Sequence, residues 1–228
     1  MKKLLVLPYA GGSAQIIANK LRKYMGVGID IVPIELPGRG RRSGEKLLTN
    51  FNEVMDDILP QIFEIINNGD KYALFGYSMG SLIIYELYYG IERKKWNTPE
   101  MMFFCASNPP KEVLNKHKLD SKSIINEMIN LGGTDKIILN NPEIMEYIIP
   151  IMRADFKVMN SYTYMKHRKR LECPISIQYG IDDDIIDNVD SWRDYTNAKC
   201  DFKYYDSGHF FINSYSKEMA DYIKLCNI

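Results

Sequence analysis

Short runs of consecutive apolar residues alternate along the chain with longer stretches in which apolar positions recur every three or four residues. The runs are LLVLP (4–8), IDIVPI (29–34), YALFG (72–76), MMFFCA (101–106), ISIQYG (175–180) and DFKYY (201–205). Unbroken apolar runs suit strands buried on both faces, and the periodic stretches between them suit helices that cover those faces. The alternation predicts an α/β fold, with a mostly parallel central sheet flanked by helices. Phe51, Val54, Ile58, Ile62 and Ile66 mark the clearest covering helix, and Asn50 and Glu53 have the spacing of a capping box at its start.

The alternation stops between Asn108 and Cys173. There the sequence reads as helices at 121–131, 142–152 and roughly 154–166, with Asn141 as N-cap and Pro142 at the first helical position of the second. A helical insertion late in such a sheet covers the carboxyl ends of the strands, where ligands bind. The segment from about 110 to 170 is therefore expected to form a lid within a single domain spanning 1–228.

Composition removes several classes of function. With 228 residues, 46% of them hydrophobic, the chain can bury one substantial core. Lys plus Arg and Asp plus Glu balance at 29 each, which argues against nucleic-acid or membrane-surface partners. The opening MKKLLVLPYAGG is interrupted by Pro8 and its glycines before it reaches signal-peptide or membrane length, and reads as a buried first strand. Cys105, Cys173, Cys200 and Cys226 are far apart and lack C-x-x-C spacing, so neither a zinc site nor a disulfide framework is indicated; free thiols in a reducing cytoplasm fit. A monomer is the default.

The chemistry gathers around LFGYSMGS (74–81), where Ser78 stands between Gly76 and Gly80. Chance supplies about 0.06 matches to G-x-S-x-G at this composition, so the context must carry the assignment. The apolar strand YALF runs into Gly76, and SLIIYELYYGIERK follows with Leu82, Tyr85, Glu86 and Tyr89 at helical spacing. Strand, tight turn and helix are what a nucleophile elbow requires, and they set the serine at a helix N-terminus whose free N–H groups favour developing negative charge.

A serine hydroxyl needs a base, and the chain has three histidines. His117 and His167 sit among lysines and arginines in polar stretches and read as solvated surface residues. His209, in YYDSGHFFI, follows the last strand, where a Ser…Asp…His order places the base. The acid falls in QYGIDDDIID after the preceding strand. The spacing strand, Gly, two residues, Asp selects Asp183, with Asp182 and Asp184 as competing neighbours. Two N–H donors for an oxyanion are expected from Met79, the residue after the nucleophile, and from the early loop LPYAGGSA, with Ala10 first and Gly11 next. That loop has neither G-x-G-x-x-G nor G-K-[ST], which argues against a nucleotide cradle.

Taken with ELPGRGRR (35–42), NLGGTDKIILNNPE (130–143), IPIMRADFKVMNSY (149–162), SWRDYT (191–196) and GHFFI (208–212), these segments resemble the stand-alone type II thioesterases of nonribosomal peptide and polyketide synthases, which have the α/β-hydrolase fold. The resemblance implies hydrolysis of acyl or aminoacyl thioesters on the phosphopantetheine arm of acyl or peptidyl carrier proteins. It puts Ser78, Asp183 and His209 on the family's triad positions and calls for no metal or redox cofactor. A general carboxylesterase or an acyltransferase of the same fold is the alternative. Two positions depart from the family pattern. Tyr77 stands where histidine is usual, which is expected to alter packing beside the elbow and leave the chemistry intact, and Asp184 stands where proline is frequent. Arg39, Arg41 and Arg153 have no triad role and suit acids inside the protein or an acidic carrier surface, with Asp155 the expected partner of Arg153. Met128, Ile129, Ile148, Met152 and Phe156 are candidates to line an acyl pocket under the lid.

Overall fold

Each of the apolar runs forms a strand in the computed structural model, which describes residues 1–113, 116–165 and 169–226. The strands are β1 (Lys2–Leu7), β2 (Ile29–Pro33), β3 (Tyr72–Tyr77), β4 (Met101–Cys105), β5 (Ile175–Gly180) and β6 (Cys200–Tyr205). They form one sheet in the order β2-β1-β3-β4-β5-β6, and every neighbouring pair is parallel.

Successive side chains of a strand point to opposite faces, and here both faces are apolar. In β1, Leu5 and Leu7 join one core while Leu4 and Val6 join the other; in β3, Tyr72 and Leu74 face the first core, and Ala73, Phe75 and Tyr77 the second. The first core is closed by α2 (Phe51–Ile66) and α3 (Met79–Arg93), the second by α1 (Ala14–Met25) and α7 (Ile212–Leu225). Val54, Ile58, Ile62 and Ile66 give α2 one buried stripe. At its start, the Asn50 side chain accepts the Asn52 amide at 2.9 Å, while Glu53 takes the Thr49 amide at 3.3 Å. The two capping arms thus reach past one another instead of closing the reciprocal box, because the short Asn side chain caps the nearer N–H.

Between β4 and β5 lie α4 (Ser121–Leu131), the single turn α5 (Lys136–Leu139) and α6 (Pro142–Ser161). The helices expected at 142–152 and 154–166 are one continuous helix that runs through Pro150 and stops at Ser161. Met145, Met152 and Phe156, from both halves of α6, pack with Ile124 and Met128 of α4 in a separate small core. That tertiary contact outweighs the hydrogen bond lost at the proline. His167 lies outside the described residues. No helix among the described residues is long and apolar enough to cross a membrane.

The sheet order positions the site. The chain leaves β1 toward β2 on one side, and leaves β3 toward β4, β5 and β6 on the other. Loops diverging from the carboxyl ends of two adjacent strands open a crevice between them, and the loops after β1 and β3 stand there. Beneath it, α3 is buried on every side from Met79 to Ile91. Ile83→Ala, at a position with no exposed surface, should lower unfolding stability by about 2–5 kcal/mol in urea denaturation.

Candidate active site

From Tyr72 to Ile91 every residue is buried except Ser78. Its backbone, at φ 52° and ψ −114°, lies in the left-handed half of conformational space that non-glycine residues rarely occupy. The surroundings impose this geometry. A Cβ on Gly76 would stand 2.3 Å from the Gly80 carbonyl oxygen, and one on Gly80 would stand 2.5 Å from the Leu7 carbonyl oxygen. The two glycines therefore let β3, α3 and β1 close on one another, and the turn between them lifts the serine above the sheet. The Ser78 amide donates to the Cys105 carbonyl at 2.7 Å. The buried Ser81 hydroxyl braces the same turn, 2.8 Å from the Gly76 carbonyl and accepting the Cys105 amide at 3.1 Å. Its contribution was hidden in sequence because a serine on the inner face of a helix looks like any small residue.

His209 is buried, with 3% of its surface exposed, and its Nδ1 lies 2.7 Å from Asp183 Oδ2. Asp183 is the buried aspartate of its cluster; Asp182, Asp184 and Asp187 are exposed. Its other oxygen accepts the Ile185 amide at 3.3 Å. Asn108, just beyond β4, clamps this loop by donating to the Ile185 carbonyl at 2.6 Å and accepting the Asp187 amide at 2.8 Å.

Tyr77 ties the elbow to the histidine loop. Its hydroxyl donates to the His209 carbonyl at 2.6 Å, and its ring meets those of Tyr9, His209, Phe210 and Phe211. Burial pushes the phenol well above its usual pKa, so the group stays protonated and able to donate. The residue that stands where the family usually has histidine is thus a packed bridge between Ser78's neighbour in the chain and the backbone of His209.

The loop after β1 is held by a pair that joins two distant segments. Arg39 and Asp155, 4% and 1% exposed, form a two-pronged ion pair at 2.5 and 2.6 Å, and Asp155 Oδ2 also accepts the Gly11 amide at 2.7 Å. Arg153 is not the partner of Asp155. It points the other way along α6 and donates to the Leu119 carbonyl and the Ser121 hydroxyl, each at 2.8 Å. The Gly11 amide is thus committed to Asp155, whereas among the described residues neither the Ala10 nor the Met79 amide has a hydrogen-bond partner. The rest of ELPGRGRR is equally occupied. Glu35 accepts from the Ser13 hydroxyl at 2.5 Å and the Ala14 amide at 3.0 Å at the start of α1, where a carboxylate also complements the helix dipole. Arg42 clamps Asp57 of α2 at 2.7 Å.

Two cavities meet at Ser78. The larger, about 760 Å³, is bounded by Ala10, Met128, Ile148, Met152, Phe156 and His209 among others. Ile129 takes no part and is 53% exposed on the outer side of α4. The smaller, about 470 Å³, runs past Ser107, Asn108, Asn126 and Asn130. His117 belongs to both walls and is not a solvated surface residue. Its Nδ1 lies 2.8 Å from Glu127, its ring stacks on Phe156 at 4.3 Å, and the side chain of Asn160 bonds both its amide and its carbonyl.

A sequence-family model described as a thioesterase domain matches residues 2–225. Gramicidin S biosynthesis protein GrsT of Aneurinibacillus migulanus is 32% identical over 97% of this chain and 87% of its own length. Thioesterase PikA5 of Streptomyces venezuelae is 26% identical over 96% of this chain and 78% of its own length. Among solved structures, ClbQ from the colibactin NRPS/PKS pathway superposes with a TM-score of 0.90 at 27% identity, over 99% of this chain and 96% of that one. RedJ, a thioesterase of the prodiginine pathway in Streptomyces coelicolor, gives 0.89 at 26% identity, over 98% and 89%. The sheet and its covering helices are those of the α/β-hydrolase fold.

The Arg39–Asp155 pair yields a direct test. Asp155→Asn leaves a buried guanidinium without its counter-charge and should cost about 3–5 kcal/mol of stability in chemical denaturation. The double change Arg39→Met with Asp155→Leu should recover most of that loss, while catalytic turnover stays low because the Gly11 amide has lost its anchor.

Proposed function

The chain belongs to the thioesterase family, and on that premise we propose that it hydrolyses acyl or aminoacyl thioesters carried on the phosphopantetheine arm of carrier proteins in nonribosomal peptide or polyketide assembly. The observation that carries the reading is the buried His209–Asp183 contact of 2.7 Å, with His209 lining the same cavity as the strained, partly buried Ser78.

In this mechanism His209 takes the Ser78 proton as Oγ attacks the thioester carbon. Asp183 accepts the Nδ1–H bond, fixing the tautomer that leaves Nε2 free to act as base and stabilising the imidazolium that forms. The Met79 and Ala10 amides receive the oxyanion, helped by the N-terminal end of α3. The C–S bond breaks, the pantetheine thiol departs with the proton from His209, and an acyl ester remains on Ser78. Water, deprotonated by His209, attacks that ester; its C–O bond breaks, Ser78 regains its proton and the free acid leaves. No step draws on a metal or redox cofactor.

Helices α4 to α6 act as the lid, with their methionine-rich core allowing the walls to adapt as a long substrate enters. All three side chains assigned to the reaction come from one chain, so a monomer suffices, with the carrier protein as its partner.

Ser78→Ala should lower kcat/KM on an acyl-carrier thioester by about 10⁴-fold or more with thermal unfolding unchanged, His209→Ala should be comparably inactive, and Asp183→Asn should lose about 10³–10⁴-fold. Mass spectrometry of the acyl carrier before and after incubation measures each rate. A larger loss from Asp182→Asn or Asp184→Asn than from Asp183→Asn would overturn the assignment of the acid, and faster cleavage of simple oxygen esters than of carrier thioesters would overturn the substrate class.

A further inference from the structure

The two cavities share only a few wall residues: Ser78, His117, Glu127, Met159 and Ile185. This boundary divides a substrate in two. A thioester attacked by Ser78 has its carbonyl carbon at the junction, its sulfur arm on one side and its acyl group on the other. The larger cavity is walled mainly by isoleucine, methionine and aromatic side chains, which suit an acyl group. The smaller presents Ser107, Asn126 and Asn130, with the exposed Lys116 and Lys118, groups that suit the amides and terminal phosphate of a pantetheine arm. The α-carbon is one bond from the carbonyl, so its substituents face the junction itself.

Beyond Ser78, the junction is made by two apolar residues and the contact between His117 and Glu127. His117 is anchored by Asn160 and Phe156, and it engages Glu127 through Oε1 at 2.8 Å. Among the described residues Glu127 Oε2 has no partner. The carboxylate is therefore oriented by a fixed neighbour, only 30% exposed, and left with an uncommitted anionic oxygen on the cavity wall. An oxygen of this kind attracts an ammonium group and has nothing to offer a plain hydrocarbon substituent.

We propose that Glu127, held by His117, recognises the α-ammonium group of aminoacyl thioesters and sets the enzyme's preference between aminoacyl and simple acyl substrates. The inference rests on the thioesterase reading above and adds to it a residue that selects the substrate.

The test compares S-alanyl-pantetheine with S-propionyl-pantetheine, which differ only in carrying an ammonium group or a hydrogen on the α-carbon. Glu127→Gln should lower kcat/KM for the alanyl thioester about tenfold and leave the propionyl rate within about twofold. Glu127→Asp, which keeps the charge, should retain most of the alanyl rate. An alanyl rate unchanged in Glu127→Gln, or an equal fall for both substrates, would overturn the proposal. Wild-type protein that hydrolyses neither thioester, nor an acyl-carrier thioester in the mass-spectrometric assay, would overturn the proposed function itself, whereas hydrolysis of the propionyl compound keeps the two questions separate.

Discussion

At Ser78 the chain changes from strand to helix with no residues to spare, and the remaining site is arranged around that turn. The φ of 52° is a strained choice for a serine, of a kind that costs about 1–3 kcal/mol and survives only where the surroundings over-determine it. Here they do. The turn is wedged between the Leu7 and Cys105 backbones, with Gly76 and Gly80 leaving no room for side chains and Ser81 tying both strands from inside. The strain is therefore offset by burial of the residues on either side, Tyr72 to Tyr77 and Met79 to Ile91, and its result is a single hydroxyl raised at the mouth of two cavities.

Three further loops have to meet that hydroxyl, and each is fixed by a different kind of interaction. The histidine loop is held by a buried phenol from the residue next to the serine, so His209 and Ser78 share one anchor. The acid loop is held by Asn108 at the end of β4. The loop after β1 is held by the Arg39–Asp155 pair, which also links helix α6 to the segment after β2. A buried ion pair is a weak source of net stability, since desolvation offsets most of its attraction. Its value here lies in geometry, because the carboxylate that neutralises Arg39 also takes the Gly11 amide and so fixes the backbone on which the Ala10 amide stands.

Much of this was legible in the sequence wherever the signal was periodic or local. The strands, the covering helix after Asn50 and the G-x-S-x-G turn follow from apolar runs, three- and four-residue steps and the steric needs of a tight turn. Asp183 and His209 were singled out by their places after β5 and β6, and the fold brings the two side chains to 2.7 Å. What the sequence concealed was pairing between distant segments. Arg39 and Asp155 are 116 positions apart, and the nearer arginine, Arg153, seemed the natural partner because separation along the chain is all that a pattern measures. On a helix, two residues two positions apart face different directions, which is why Arg153 serves Leu119 and Ser121 instead. His117 was misjudged for the same reason. Its lysine neighbours suggested solvent, whereas Asn160 and Phe156 of α6 and Glu127 of α4 enclose it.

The continuity of α6 through Pro150 has a similar origin, since one side of the helix packs along its length on α4 and on the cavity. The helices between β4 and β5 thus share a small core of their own. The central claim, that Ser78 carries the acyl group between two half-reactions, is tested most directly by trapping that intermediate. Rapid acid quenching of the enzyme with an acyl-pantetheine thioester, followed by peptide mapping, should find one acyl group on the peptide that contains Ser78. An acyl group on any other residue, or full turnover with no acylated peptide at the earliest quench times, would contradict the account.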